Sequence, residues 1–242
     1  MTNIGDKKTA GRKRLATGVL LLSVVASLFG PTRASELSGN VALTSEYIFR
    51  GHSLSDGNPA LSAGIDYGHD AGWFVGAWAS TLDLSSPSGR RDAQLNYYAG
   101  YSFGRESRVG GSVSIVRYSF PGQTGPRDYD YTELLASAYL GDSYVVEIGY
   151  ADEYYGFDWE NRHVEMRGNW PMPNAWVVSA GLGWNDIDAD NPSDYLYWDV
   201  GASARFSRLM VDLRWFDNES QSGALSWMSA GSKVVATLSV AF

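Results

Sequence analysis

The chain has 242 residues, with 27 Asp and Glu against 19 Lys and Arg, a formal net charge of −8 and no cysteine. Its acidity argues against nucleic acid as a partner, because a phosphate backbone is held by a surplus of Lys and Arg. The lack of cysteine removes disulfides, thiolate metal sites and cysteine nucleophiles, and it suits a chain that crosses an oxidising periplasm unfolded.

The first 34 residues read as a secretory signal peptide. Lys7, Lys8, Arg12, Lys13 and Arg14 precede a mainly apolar run from Leu15 to Phe29, and Thr32, Arg33 and Ala34 offer small residues at the usual cleavage positions. The run falls short of the ~20 apolar residues a spanning helix needs, so cleavage after Ala34 is expected rather than an uncleaved anchor. Removing this leader takes away six of the 19 basic residues and one of the 27 acidic ones, which leaves a net charge of −13. Beyond Ala34, polar or charged residues interrupt every apolar stretch and the mean hydropathy of the chain is −0.22. A membrane-spanning chain of this kind must be a barrel, since only helices and closed barrels satisfy their backbone inside lipid.

The mature part, 35–242, divides into alternating segments of about ten residues, the length of a tilted strand that crosses an outer membrane. The expected strands are 38–50, 60–68, 73–82, 93–103, 108–118, 131–140, 144–153, 163–170, 175–184, 195–206, 209–216 and 233–242, an even number as single-chain bacterial barrels require. Connections alternate in kind. Short ones fall at His69–Gly72, Gly104–Ser107, Gly141–Ser143, Pro171–Asn174 and Ser207–Arg208, and long polar ones at Leu84–Arg91, Ser119–Asp130, Asn185–Asp194 and Asp217–Ser232. Tight turns on one rim and long loops on the other describe an outer-membrane barrel with both termini on the periplasmic side. A soluble sandwich or lectin also alternates along its strands, but does not predict this rhythm.

Aromatic spacing agrees. Trp176 and Trp184 flank Val178, Ala180 and Leu182 on one face, and Trp198 and Phe206 flank Val200, Ala202 and Ala204 on the next strand. Eight steps at about 3.3 Å, tilted near 40°, give about 20 Å, close to the ~25 Å apolar band between two aromatic girdles.

If those faces meet lipid, the alternate faces meet the lumen. They carry Glu46, Arg50, Asp66, Glu147, His163, Glu165, Arg167, Asp199, Arg205, Asp212, Arg214 and Lys233. These side chains either pair across the barrel as a polar core or line a pore and screen solutes by charge. Twelve strands lie between the filled interior of eight and the wide channel of 16 to 18, so a narrow pore is compatible with the count. The phase of 108–118 leaves Arg117 unassigned.

The stretch Ser45-Glu46-Tyr47-Ile48-Phe49-Arg50-Gly51-His52-Ser53, followed by Pro59-Ala60, Gly64-Ile65-Asp66-Tyr67 and Gly72-Trp73-Phe74-Val75-Gly76, resembles the amino-terminal signature of the TorF family of proteobacterial porins. The resemblance implies an outer-membrane barrel and a pore, without an established substrate. The chain departs from it at Ile48, where a basic residue is usual. Arg50-Gly51 also has a plain structural reading: glycine permits a sharp exit into the loop, and arginine hydrogen-bonds loop carbonyls or carboxylates.

Catalytic sets are weak. Gly100-Tyr101-Ser102-Phe103-Gly104 spells a nucleophile elbow, but no helix pattern follows it. His52, His69 and His163 are the candidate bases; His69 falls on the periplasmic rim, and His163, expected at the outer rim, reads as lumen polarity. The run Asp186 to Asn191 resembles the opening of a calcium loop, yet has Tyr197 where a bidentate glutamate belongs. A solvated loop is the better reading, with bridging of divalent ions to lipopolysaccharide phosphate as the alternative. The loop 152–160, Asp-Glu-Tyr-Tyr-Gly-Phe-Asp-Trp-Glu, would either stack against a sugar or form a girdle edge. No cofactor is expected.

The chain closes on Val234, Ala236, Leu238, Val240 and Phe242, alternating with Lys233, Thr237 and Ser239. A final strand ending on an aromatic resembles the signal read by the outer-membrane barrel assembly machinery. The expectation is therefore an all-β, up-and-down transmembrane barrel, with lipid, lipopolysaccharide, the assembly machinery and small solutes as partners. It would pass small hydrophilic solutes or ions passively, with some preference for cations. A structural or adhesive barrel is the first alternative and a lipid-modifying enzyme the second.

Overall fold

The computed structural model describes residues 36–83, 92–104, 107–122, 128–189, 193–219, 225 and 228–242. The signal peptide expected over 1–34, the loop Leu84–Arg91, and parts of the loops Ser119–Asp130 and Asp217–Ser232 lie outside the described residues. The strands are β1 (Glu36–Thr44), β2 (Ile48–Phe49), β3 (His52–Ser53), β4 (Ala60–Gly68), β5 (Trp73–Leu82), β6 (Asp92–Phe103), β7 (Val109–Ser119), β8 (Tyr131–Leu140), β9 (Tyr144–Ala151), β10 (Glu160–Pro171), β11 (Trp176–Asp188), β12 (Ser193–Phe206), β13 (Leu209–Asn218) and β14 (Lys233–Ala241). Twelve of them form one closed antiparallel barrel, each paired with its sequence neighbour, and β1 pairs with both β4 and β14. Closure leaves no free edge. The other two, β2 and β3, form a small hairpin of their own.

Two-residue alternation fixes which way each side chain points. Leu43, Ile65, Ile115, Leu134, Ile148, Leu182, Leu213 and Leu238 are each about half exposed on the outer wall, while Asp66, Glu133, Glu147, Asp199 and Arg214 are buried on the inner one. This is the inverse of a soluble protein, and a continuous apolar belt of that extent is not tolerated in water. Trp176, Trp184 and Phe206 stand on the exterior, and Trp198 packs against Trp215 at 5.7 Å between ring centroids. Arg117, left unassigned by its sequence, lies on the outer face near the long-loop rim, beside Thr132 and Asp130.

Expected strand bounds change in three places that matter for the site. The first strand does not run to residue 50: β1 ends at Thr44, and the chain turns into the barrel. Alternation misses this because Tyr47, Ile48 and Phe49 are all buried, at 1%, 3% and 7% exposure, so the apolar run packs on both faces instead of one. β11 and β12 extend toward each other, which places Asp186 and Asp188 on a strand, paired with Arg162 and Glu160 of β10. The calcium-like run is therefore not a loop at its first two acids; Asp190 and Asn191 lie outside the described residues. Third, β10 begins at Glu160, so His163 is inside the wall.

Candidate functional site

The segment between β1 and β4 folds back into the long-loop half of the barrel. Its hairpin turns on Arg50 (φ 47) and Gly51 (φ 81), both in the left-handed region. Two consecutive left-handed residues make the type I′ turn that suits a two-residue hairpin, and glycine takes the second place without strain. A Cβ added to Gly51 would meet Tyr197 and Asn218 at 2.7 and 2.8 Å, so only glycine lets the turn lie against the β12–β13 wall. Asn218 Nδ2 donates to the Gly51 carbonyl at 2.9 Å. The backbone is further stitched by Leu54 N–H to the Tyr47 carbonyl at 2.8 Å and Ser53 N–H to the Ser229 carbonyl at 2.9 Å.

Around the hairpin the lumen is aromatic. Tyr47, Phe49 and Leu54 pack in one cluster with Tyr118, Tyr131, Tyr154, Tyr155, Tyr195, Tyr197 and Ile187. Tyr118 stacks on Tyr131 at 4.5 Å, and Tyr131 meets Tyr154 edge-on at 4.9 Å. A second tight turn, Tyr155 (φ 53) and Gly156 (φ 67), brings the loop 152–160 inward as well. Tyr154 and Tyr155 are thus core residues, neither a sugar platform nor a girdle; Phe157 and Trp159 stack on each other at 3.9 Å beside that core. Ile48, where the resembled signature is basic, packs with Phe216 and Val235 of the wall.

From the hairpin Arg50 reaches across to the opposite wall. Its Nη2 donates to both Glu133 carboxylate oxygens at 2.8 Å, its Nη1 to Asn161 Oδ1 at 3.3 Å, and its guanidinium sits 4.7 Å from the Phe49 ring centroid. Glu133 has no exposed surface and also accepts from Tyr118 Oη at 3.0 Å. His163 joins this group, with Nδ1 3.3 Å from Glu133 and Nε2 3.6 Å from Glu147. Its ring lies over Gly149, where any side chain would collide with it. Arg50 therefore bonds a carboxylate, one of the two kinds of partner its plain structural reading expected, and that carboxylate stands on the wall strand β8 and not in a loop.

A second charged group lies wholly on the wall. Arg167 of β10 is bidentate to Asp199 of β12 at 2.7 Å for each bond, crossing over Gly181 of β11, and donates to Glu165 at 3.1 Å. Arg214 of β13 bonds the same Asp199 as well as Asp212 at 3.1 Å and Ser179 Oγ at 2.7 Å. Bidentate guanidinium–carboxylate geometry of this kind is the strong form of the interaction.

The expected lumen residues thus fall into two sets. Asp66, Glu147, His163, Glu165, Arg167, Asp199, Arg205, Asp212, Arg214 and Lys233 occupy inward positions of the barrel strands. Glu46 and Arg50 are inside the barrel but on the infolded segment, with Glu46 3.0 Å from Lys233. Asp66 stands apart from the basic groups, accepting a hydrogen bond from Tyr98. Glu133 and Asn161 were missed, although the alternation of Leu134, Ala136, Ala138 and Leu140 already turns Glu133 inward.

Burial drives the His52 pKa down to about 4, against a smaller opposing effect of a backbone hydrogen bond to Arg50. His69 stacks on Trp73 at 4.6 Å in the β4–β5 turn. Ser102 is buried inside β6, and its Oγ has no hydrogen-bond partner among the described residues, which is not the setting of an activated nucleophile. Among the described residues, no cluster of three or more His, Asp or Glu is arranged to hold a metal ion.

The fold is similar to solved barrels. A KdgM porin superposes with a TM-score of 0.52 at 8% identity over 85% of this chain and 98% of that one. An outer membrane channel from Pseudomonas putida F1 gives 0.53 at 11% identity over 88% and 97%. A KdgM porin in complex with disordered oligogalacturonate gives 0.51 at 8% over 85% and 97%. Identities this low speak for the fold alone. No curated protein matches by sequence. Residues 29–242 match a family described as bacterial protein of unknown function (Gcw_chp), and the chain belongs to that family.

Proposed function

We propose that the protein is a porin-like channel of the outer membrane through which small hydrophilic solutes or ions diffuse passively. The observation that carries this reading is the inverted polarity of the closed wall: a half-exposed apolar exterior around an interior of Arg, Asp, Glu, Asn and Ser. Such a wall is stable with lipid outside and water or polar groups inside. The resemblance to TorF-family porins and the similarity of fold to barrels that are channels support the same reading. Export by a cleaved leader, termini on the periplasmic side, insertion by the assembly machinery through the strand ending at Phe242, and contact with lipopolysaccharide at the long-loop rim belong to it. Acids outnumber bases on the interior, which favours cations over anions. The reading assigns no catalysis and no cofactor.

A closed structural barrel is the second reading, and the aromatic packing of the 45–59 segment in the long-loop half favours it. Planar-bilayer recording of the refolded protein separates the two, once its gel mobility is seen to shift on heating as a stable barrel's does. Discrete steps that change when Arg205 is neutralised support the channel. A folded but silent barrel, under all voltages and salts, supports the structural reading.

A further inference from the structure

The two charged groups inside the barrel differ in how they close. Arg167, Asp199, Arg214 and Asp212 are all wall residues, so their pairing survives any movement of the loops. Glu133 is also a wall residue and fully buried, yet among the described residues the permanent cation bonded to it comes from the infolded hairpin. A buried carboxylate stripped of its cation is strongly disfavoured. Departure of the hairpin therefore carries the cost of this pair, and another cation in the place of Arg50 lowers that cost.

The place itself is built for a guanidinium. One carboxylate is held by Tyr118 Oη, and an amide oxygen is supplied by Asn161, all three on wall strands. These are the acceptors that a planar, multiply donating cation uses. The hairpin that fills it includes a non-glycine residue in left-handed backbone, a conformation that the surrounding contacts must hold in place.

We propose that Glu133, Asn161, His163 and Tyr118 form a guanidinium-binding site that the 45–59 segment occupies with its own Arg50, and that a guanidinium-bearing solute entering from the long-loop side competes for the site and releases the hairpin. The proposal rests on the channel reading for its consequence, and not for the site. Binding and opening are coupled because the solute has affinity for the barrel only when Arg50 is out, and a ligand shifts an equilibrium toward the state it prefers.

The test is chemical replacement of the missing side chain. In Arg50→Ala the site loses its resident guanidinium. Methylguanidinium at low millimolar concentration is expected to raise the thermal midpoint of this variant, read by the heat-dependent mobility shift, and tetramethylammonium at the same ionic strength is not, because it lacks N–H donors. The double variant Arg50→Ala/Glu133→Gln, which carries no stranded carboxylate and so guards against failure to fold, is expected to lose the response. In bilayers, Arg50→Ala is expected to be open several-fold more of the time than the parent, and methylguanidinium on the long-loop side to raise the parent's current several-fold. Stabilisation of Arg50→Ala without current from any variant supports the site and overturns the channel reading. Equal responses to both cations, or an equal response in the double variant, overturn the site.

Discussion

The long-loop half of the lumen and the β10–β13 wall spend buried charge differently. On the wall, acids and bases sit on strands whose register is fixed by the barrel ladder, and Arg167 reaches Asp199 because Gly181 between them has no side chain. Such a network stiffens the barrel and is as permanent as the barrel itself. In the long-loop half, the cation for Glu133 arrives on a two-residue hairpin turn, and the acid sits on β8, 83 positions away in sequence. That ion pair holds a movable element against a fixed one. Buried pairs are costly to break one-sidedly wherever they lie; the difference lies in what is released when they break.

Removing the shared acid of the wall is the largest expected effect. Asp199→Ala leaves Arg167 and Arg214 facing each other without their common partner, and should cost at least about 3–5 kcal/mol. A fall in the thermal midpoint of the heat-dependent mobility shift checks it, and a midpoint within error of the parent would mean the wall network is not the stiffening element. Gly51→Ala comes next. A methyl there meets Tyr197 and Asn218 in left-handed backbone, so the hairpin should lose about 1–3 kcal/mol of its seating while the barrel midpoint stays nearly unchanged. Limited proteolysis within 45–59 reads the first, and melting reads the second. If Gly51→Ala lowers the barrel midpoint as far as Asp199→Ala does, the two regions are not independent.

Acidification sharpens the same contrast. His52 sits on β3 against Tyr195, ring centroids 4.8 Å apart, and its pKa is lowered to about 4 from 6.5. Between those values the unfolded or released segment binds a proton that the seated one does not, so seating is strongest above pH 6.5 and weakens as the pH falls toward 4. Protease sensitivity of 45–59 should rise through this window and the rise should shrink in His52→Gln; an identical pH profile in the variant would remove His52 as its source. The smallest effect is expected outside. Arg117→Ala removes an exposed pair with Asp130 at 3.4 Å, worth about 0–1 kcal/mol, with no change in melting or proteolysis beyond that.

Much of this was legible in the chain. The spans 60–68, 73–82 and 131–140 were fixed to the residue, because each is bounded by turn-forming residues or polar runs and alternates without interruption. The inward phase of Asp66, Arg167, Asp199 and Arg214 followed from the same two-residue period. The period also held the answer for Glu133, whose apolar neighbours Leu134 and Leu140 face outward. What it lacked was any trace of Glu133's partner, since nothing local links position 50 to position 133.

The barrel is written along the chain: strand alternation, the short-long order of connections and the acidic, cysteine-free composition leave few other structures for an apolar face that recurs every second residue. That the chain leaves the wall at Thr44 and turns inward is visible in the folded barrel alone. The run 45–53 is apolar, aromatic and charged at once, and the expected strand end at residue 50 and the observed infolding draw on the same residues. What distinguishes the two is whether a lumen of matching shape is there to receive it. That lumen is made by Tyr118, Glu133, Asn161, Tyr197 and Asn218, residues from five different strands, which come together only once the barrel closes.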